Sequence, residues 1–221
     1  MCSSARVAGE FGGTAFLLAI VVGSGIMAQQ LSGGNPGFAL LANSLATGAG
    51  LYAVITALLP VSGAHLNPVV TGLAAWRGQI SARLALAYVC AQFCGAVFGV
   101  LCTHLMFAEQ LIQVSVHERA GWPLRFAEVI ATSGLLAVIS LAPRRQVAAA
   151  VAAYITAAYW FTASTSFANP AVTFARALTA TFTGMAWGGV PGFMAAQVIA
   201  LLIVGVCQAQ HRKVQVHIRG S

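Results

Sequence analysis

The chain is 221 residues long, 59% hydrophobic and only 7% charged, with no Asp, four Glu and a formal net charge of +7. Soluble domains carry roughly 25% charged residues, so a water-soluble globular protein is excluded and the solvent is lipid.

Crossing ~30 Å of hydrocarbon takes roughly 20 apolar residues per helix. In chain order, the first such stretch covers 7–29. An Arg precedes it, as in a signal peptide, but a later segment repeats it, so it is expected to be kept. "SGGNPG" follows, with Asn35-Pro36 read as a loop, and then a second span over 38–59. "SGAHLNP" introduces a short apolar piece, 68–76, and a third span covers 82–107. The second half offers spans over 126–141, 147–167 and 190–207, with another short piece, 170–179, between the last two. At ~1.5 Å per residue, ten residues reach only halfway across. Runs such as "LLAIVVG" and "VIALLIVGV" lack the apolar/polar alternation that a β-barrel needs, so the expected class is an all-α membrane protein.

The chain repeats itself. "EFGGTAFLLAI" from Glu10 aligns with "EVIATSGLLAV" from Glu128, "NPVVT" with "NPAVT", and Ala91-Gln92 with Ala196-Gln197. One domain over 1–221 follows, built from a first repeat at about 7–107 and a second at about 125–209. Each repeat has three spans, an odd number, so the second enters from the opposite face as an inverted repeat. The two short pieces then dip in from opposite sides and meet near the midplane. With both termini cytoplasmic, Arg6, Arg77, Arg83, Arg144, Arg145, Arg212, Lys213 and Arg219 fall inside and Arg119, Arg125 and Arg176 outside. That bias satisfies the positive-inside rule. Orientation thus accounts for the net charge, and no nucleic-acid partner is expected.

Asn is a strong helix N-cap and Pro is favoured at the first helical position. Asn67-Pro68 and Asn169-Pro170 therefore read as starts of half-helices. Non-helical backbone at membrane depth survives only where protein or a water-filled cavity surrounds it. Two half-helix N-termini facing each other place about half an elementary charge each at the centre. A cation is repelled there, and a hydroxyl-bearing neutral solute meets two Asn amides, as in aquaporin-type pores.

Through "AEF"-like "GEF" and "SGAHLNP" in the first half and "FAEV" and "NPA" in the second, the sequence resembles the major intrinsic protein family, the aquaporins and aquaglyceroporins. The resemblance covers essentially the whole chain. It implies six transmembrane helices plus two re-entrant half-helices. It further implies a homotetramer with a pore in each protomer, a midplane formed by Asn67, Pro68, Val69, Asn169, Pro170 and Ala171, and a second constriction toward the outside. Carried over by spacing from the two asparagines, that filter consists of Thr47, Ala157, Ser166 and Val172. The family's arginine is absent at Val172, none of the four is aromatic, and Val69 replaces the usual Ala. The filter is thus expected to be wide and without a fixed charge.

Val172 together with Thr47 resembles the arsenic-resistance branch of bacterial aquaglyceroporins. This implies passage of arsenous acid and methylated arsenicals besides glycerol, urea and some water, in a bacterial inner membrane. An ordinary water and glycerol facilitator stays open as an alternative, and so does a proton-coupled transporter using Glu10 and Glu128. The same two glutamates resemble the family's loop anchors, a role also expected of His65, which could alternatively gate by pH. Gln92 and Gln197 are expected to bond between spans. Arg176, four residues after Val172, shares its helical face and is expected either in the outer vestibule or satisfying carbonyls. Cys90, Cys94 and Cys102 fall at helical spacing and are expected to be small packing residues. No acid lies near the motifs in sequence, against an ion channel. No nucleophile with a base, metal cluster or phosphate loop appears, so no enzyme, metal or cofactor is expected.

Overall fold

The computed structural model describes the backbone of residues 2–220 and the side chains of residues 2–210. Arg212, Lys213 and Arg219, counted above for orientation, have side chains outside the described residues, as does Ser221. Among the described residues the chain is all-helical, with no strand. The helices are α1 (Ser3–Leu31), α2 (Pro36–Leu58), α3 (Pro68–Trp76), α4 (Ala82–Met106), α5 (Trp122–Leu141), α6 (Val147–Phe161), α7 (Pro170–Ala175) and α8 (Val190–Gly220). Three-residue 3₁₀ turns, Arg176–Leu178 and Trp187–Gly189, follow α7 and precede α8.

Among the described residues, five segments are long and apolar enough to cross a membrane: α1, α2, α4, α5 and Trp187–Gln210. The remaining long element, α6, has 15 residues, about 22 Å at 1.5 Å per residue. It stops at Phe161 and does not reach 167 as its apolar run implied. Beyond it Thr162 turns extended and caps back to Ala158, and Thr165, Ser166 and Ala168 take positive φ. A helix cannot continue through those conformations.

The short elements begin as expected. Asn67 and Asn169 are N-caps whose side chains accept from Val69 N–H and from Ala171 and Val172 N–H, with Pro at the first helical position. α7 ends after six residues and tightens into a 3₁₀ turn at Arg176, so the expected piece 170–179 is only partly α-helical. Asn35-Pro36 is a correction of a different kind. The sequence there reads as loop, whereas Asn35 caps α2, accepting from Gly37 and Phe38 N–H. The dipeptide does the same local work in all three places, and what distinguishes the other two is depth.

Packing repeats between the halves. α1 lies most extensively on α4, and α5 on α8. The first of these contacts is backbone-close: a Cβ on Gly95 or Gly99 would stand 2.2 Å from the carbonyl oxygen of Phe11 or Ala15. Small residues at such crossings let helices approach without a side-chain layer between them. Large apolar side chains such as Phe16, Leu86, Phe98 and Leu141 are left exposed on the outer surface, as a lipid-facing surface requires. The cysteines differ from expectation: Cys90 and Cys94 are exposed and Cys102 half-buried, because the packed face of α4 is taken by Ala91, Gln92, Gly95, Ala96 and Gly99.

Candidate functional site: a conduit through the helix bundle

A cavity of about 1010 Å³ runs along the molecule. At the mouth where α1 begins it is lined by Arg6, Pro60, Arg77 and Arg144, and His65 follows. It then passes Asn67, Val70 and Asn169 and continues to Thr47, Tyr159, Phe167, Val172 and Arg176.

Its midplane is a reciprocal lock. Asn67 Nδ2 donates to the Ala168 carbonyl and Asn169 Nδ2 to the Leu66 carbonyl, both at 2.8 Å. Each Asn therefore caps its own half-helix through Oδ1 and holds the other half's loop through Nδ2. Pro68, Pro170 and Ala171 start the two helices, and Val69 is buried against Leu73 and Leu136.

The loops entering the half-helices run against backbone preference. Ala64 and Leu66 in the first and Thr165, Ser166 and Ala168 in the second have φ between 48° and 60°. Conformations of this sort cost about 1–3 kcal/mol each unless the surroundings enforce them. Two buried carboxylates enforce them here. Glu10 accepts from Ser62 Oγ (2.6 Å), His65 N–H (2.9 Å), Leu66 N–H (2.6 Å) and Gln92 Nε2 (2.7 Å). Glu128 accepts from Phe167 N–H and Ala168 N–H, both at 2.8 Å, and from Gln197 Nε2 at 2.7 Å. Acids thus do lie beside the motifs in space, with their oxygens spent on backbone donors. Gln92 and Gln197 each bridge that carboxylate to a half-helix threonine, Thr71 or Thr173, at 2.9 Å. Each therefore bonds between spans, Gln92 of α4 to Glu10 of α1 and Gln197 of α8 to Glu128 of α5, and ties that pair of spans to a half-helix. His65 Nδ1 also meets Thr71 Oγ1 (3.1 Å), and its ring stands edge-on to Tyr88, so it anchors its loop while lining the conduit. The two threonines were missed in the sequence, although both stand four residues after the motif's Asn.

Farther along, Thr47 Oγ1 and the Tyr159 hydroxyl, both on the conduit wall, are 3.2 Å apart. Thr47, Ser166 and Val172 line it, but Ala157 does not: it is exposed, and Tyr159 takes the expected place on α6 together with Ile155. At about 100° per residue, Ile155 and Tyr159 share a face that Ala157 does not. The conduit wall is therefore not free of aromatics, since Tyr159 and Phe167 both line it.

Arg176 is buried against a loop carbonyl. It is 3% exposed, its Nε donates to the Thr183 carbonyl, and its guanidinium carbon stands 3.5 Å from the Phe167 ring centroid. It nevertheless lines the conduit one turn beyond Val172. Arg119, from the loop between α4 and α5, stands 5.4 Å from the same ring and donates to the Gly184 carbonyl and Thr165 Oγ1. Burial holds the Arg119 guanidinium below its ordinary pKa. Nothing in the charge count marked Arg119 as more than a loop residue.

The Major intrinsic protein family matches residues 2–145, which include the first asparagine motif and its carboxylate anchor. This chain belongs to the Major intrinsic protein family. It is 47% identical over 205 residues to the aquaglyceroporin AqpS of Rhizobium meliloti, covering 91% of this chain and 86% of that protein. It is also 32% identical over 109 residues to the glycerol uptake facilitator protein of Haemophilus influenzae, covering 49% of this chain and 40% of that one. A third relative, the probable aquaporin TIP5-1 of Oryza sativa, is 35% identical over 105 residues, 47% of this chain and 39% of its own length. Members of the family are integral membrane channels for small neutral solutes, and so is this protein; it is not an enzyme.

Proposed function

We propose that this channel is an aquaglyceroporin with a wide outer constriction, passing glycerol, urea, some water, arsenous acid and methylated arsenicals by passive diffusion. The observation that carries the reading is the wall of the conduit three residues after Asn169, where Val172 puts an alkyl group. Beside it Thr47 and Tyr159 offer two hydroxyls to an oxygen-bearing solute. The likeness to proteins named an aquaglyceroporin and a glycerol uptake facilitator supports the same substrate class. Cation exclusion has two sources in this reading: the facing N-termini of α3 and α7 and the Arg176 charge one turn farther out.

Both termini are cytoplasmic in this reading, in a bacterial inner membrane, with the mouth lined by Arg6, Arg77 and Arg144 on the inside as the positive-inside rule requires. The exposed apolar surface is covered by lipid and by neighbouring protomers of a homotetramer. Stopped-flow measurement on proteoliposomes decides the matter: glycerol and arsenous acid flux above that of protein-free vesicles is expected. Water flux alone would overturn the wide-filter reading.

A further inference from the structure

Arg119 and Arg176 present an electrostatic problem that the channel reading does not absorb. Two guanidiniums stand over one ring, that of Phe167, so the cations are neighbours in a largely water-excluded place. A buried cation is normally matched by a carboxylate. Among the described residues neither arginine has an ion pair. Glu128 is the carboxylate that acts electrostatically on both, but its oxygens are held by Phe167 N–H, Ala168 N–H and Gln197 Nε2.

The donors that remain point to what is missing. Arg176 spends Nε on the Thr183 carbonyl. Its two terminal nitrogens have no protein partner, yet they are not among the sealed, unsatisfied atoms. Since the residue lines the conduit, those nitrogens are reached from it. With Nε taken, the terminal pair forms an end-on fork of the kind that grips two oxygens of one oxyanion. Phe167 fixes the plane of that fork from one face. Tyr159, an electrostatic neighbour of Arg176 on the same stretch of wall, can donate its hydroxyl when Thr47 donates to it.

We propose that Arg176, with Tyr159 on the same conduit wall and Arg119 at the same Phe167 ring, forms a binding subsite for a small tetrahedral oxyanion in the outer part of the conduit. The subsite recognises tetrahedral oxyacids by their ionised oxygens and lets them compete with neutral solutes for the constriction. It rests on the conduit being the transport path.

The test uses the full chain in proteoliposomes, with glycerol flux read at increasing sodium phosphate against sodium chloride of equal ionic strength and osmolarity. Phosphate is expected to lower glycerol flux saturably, and chloride is expected to have much less effect. Arg176→Gln should weaken the apparent phosphate affinity by at least about tenfold, the loss of one charge-assisted fork, read relative to that variant's own phosphate-free glycerol flux. Should that variant not assemble, Arg176→Lys keeps the charge and loses the fork, and it too must lose most of the phosphate effect. Arg119→Gln is expected to weaken phosphate more modestly. Equal response to both salts, or an Arg176 variant as phosphate-sensitive as the parent, overturns the subsite. If the parent passes no glycerol, the channel reading fails instead. The subsite is then read by thermal unfolding in detergent, where phosphate raises the midpoint of the parent and not of Arg176→Gln, and no such rise overturns it.

Discussion

Replacing Glu128 with Gln removes one charge and almost no volume, so it isolates what the carboxylate does. Both oxygens accept backbone N–H groups at 2.8 Å, and one also accepts Gln197 Nε2 at 2.7 Å. A glutamine keeps one acceptor oxygen and turns an NH₂ toward the other N–H. Gln197 can rotate its amide to accommodate the new donor, since its Oε1 has no partner. The backbone N–H cannot be re-satisfied without moving the loop. One buried donor left unpaired, together with weaker neutral acceptors for the rest, costs about 2–4 kcal/mol. For a chain of this size that lowers the midpoint of thermal unfolding by about 5–15 °C. The positive-φ residues Ser166 and Ala168 lose their restraint, and Asn169 loses its position with them. Thermal unfolding of the purified protein, read beside glycerol flux per folded channel, checks this. A variant as stable as the parent, but with flux that no longer responds to an imposed pH gradient, would refute the anchoring argument and favour proton coupling.

Four further outcomes follow from the geometry. Val172→Arg and Thr47→Phe should each cut glycerol and arsenous acid flux by about tenfold, equivalent to ~1.4 kcal/mol of barrier, while sparing water; stopped-flow traces decide it. Ala157→Trp should leave glycerol flux unchanged, since Ala157 is exposed, whereas Tyr159→Ala should raise the flux of solutes larger than glycerol; the reverse ranking would restore Ala157 to the wall. Gly99→Ala should cost about 1–3 kcal/mol, measured as a lower unfolding midpoint, because its Cβ would meet the Ala15 carbonyl oxygen at 2.2 Å. Ion current in planar bilayers should not scale with the amount of protein, and current that did would remove the cation-exclusion argument.

Much of the scaffold was legible because it is written twice. Glu10 and Glu128, Gln92 and Gln197, and the two Asn-Pro pairs could be matched by alignment of the chain with itself, and one physical requirement, satisfying backbone at membrane depth, explains all three. The first half-helix was correct to the residue because Pro68 starts it, and Arg77 and Gly78 follow its last residue, Trp76. The end of α6 was not legible, since "FTASTSF" is apolar enough to continue a span. Only the tertiary demand for a loop beside Glu128 breaks it. Counting back from Asn169 across that loop placed Ala157 in the filter and overlooked Tyr159, because a loop with positive φ does not conserve helical phase. Arg119 was invisible for another reason: its partners, Gly184 and Thr165, lie 65 and 46 residues away in the chain.

The two halves are alike in what holds the loops and unlike in what faces the solute. Val70 and Val172, each three residues after its asparagine, both line the conduit, so the repeat extends even to the wall next to the midplane. Four residues farther along it ends: Ala74 lines the conduit on one side and Arg176 on the other. α3 carries on as a regular helix through Ala74 to Trp76, whereas α7 tightens into a 3₁₀ turn at Arg176, and the chain hooks back so that Met185 N–H reaches the Arg176 carbonyl. That hook brings Thr183 and Gly184 to the two arginines. Along the wall beside the half-helices, the departure from symmetry thus begins at Arg176. The anchors keep one geometry in both halves because both must satisfy the same backbone groups in the same solvent. The wall is free to differ wherever its side chains bear on the solute and not on the loops.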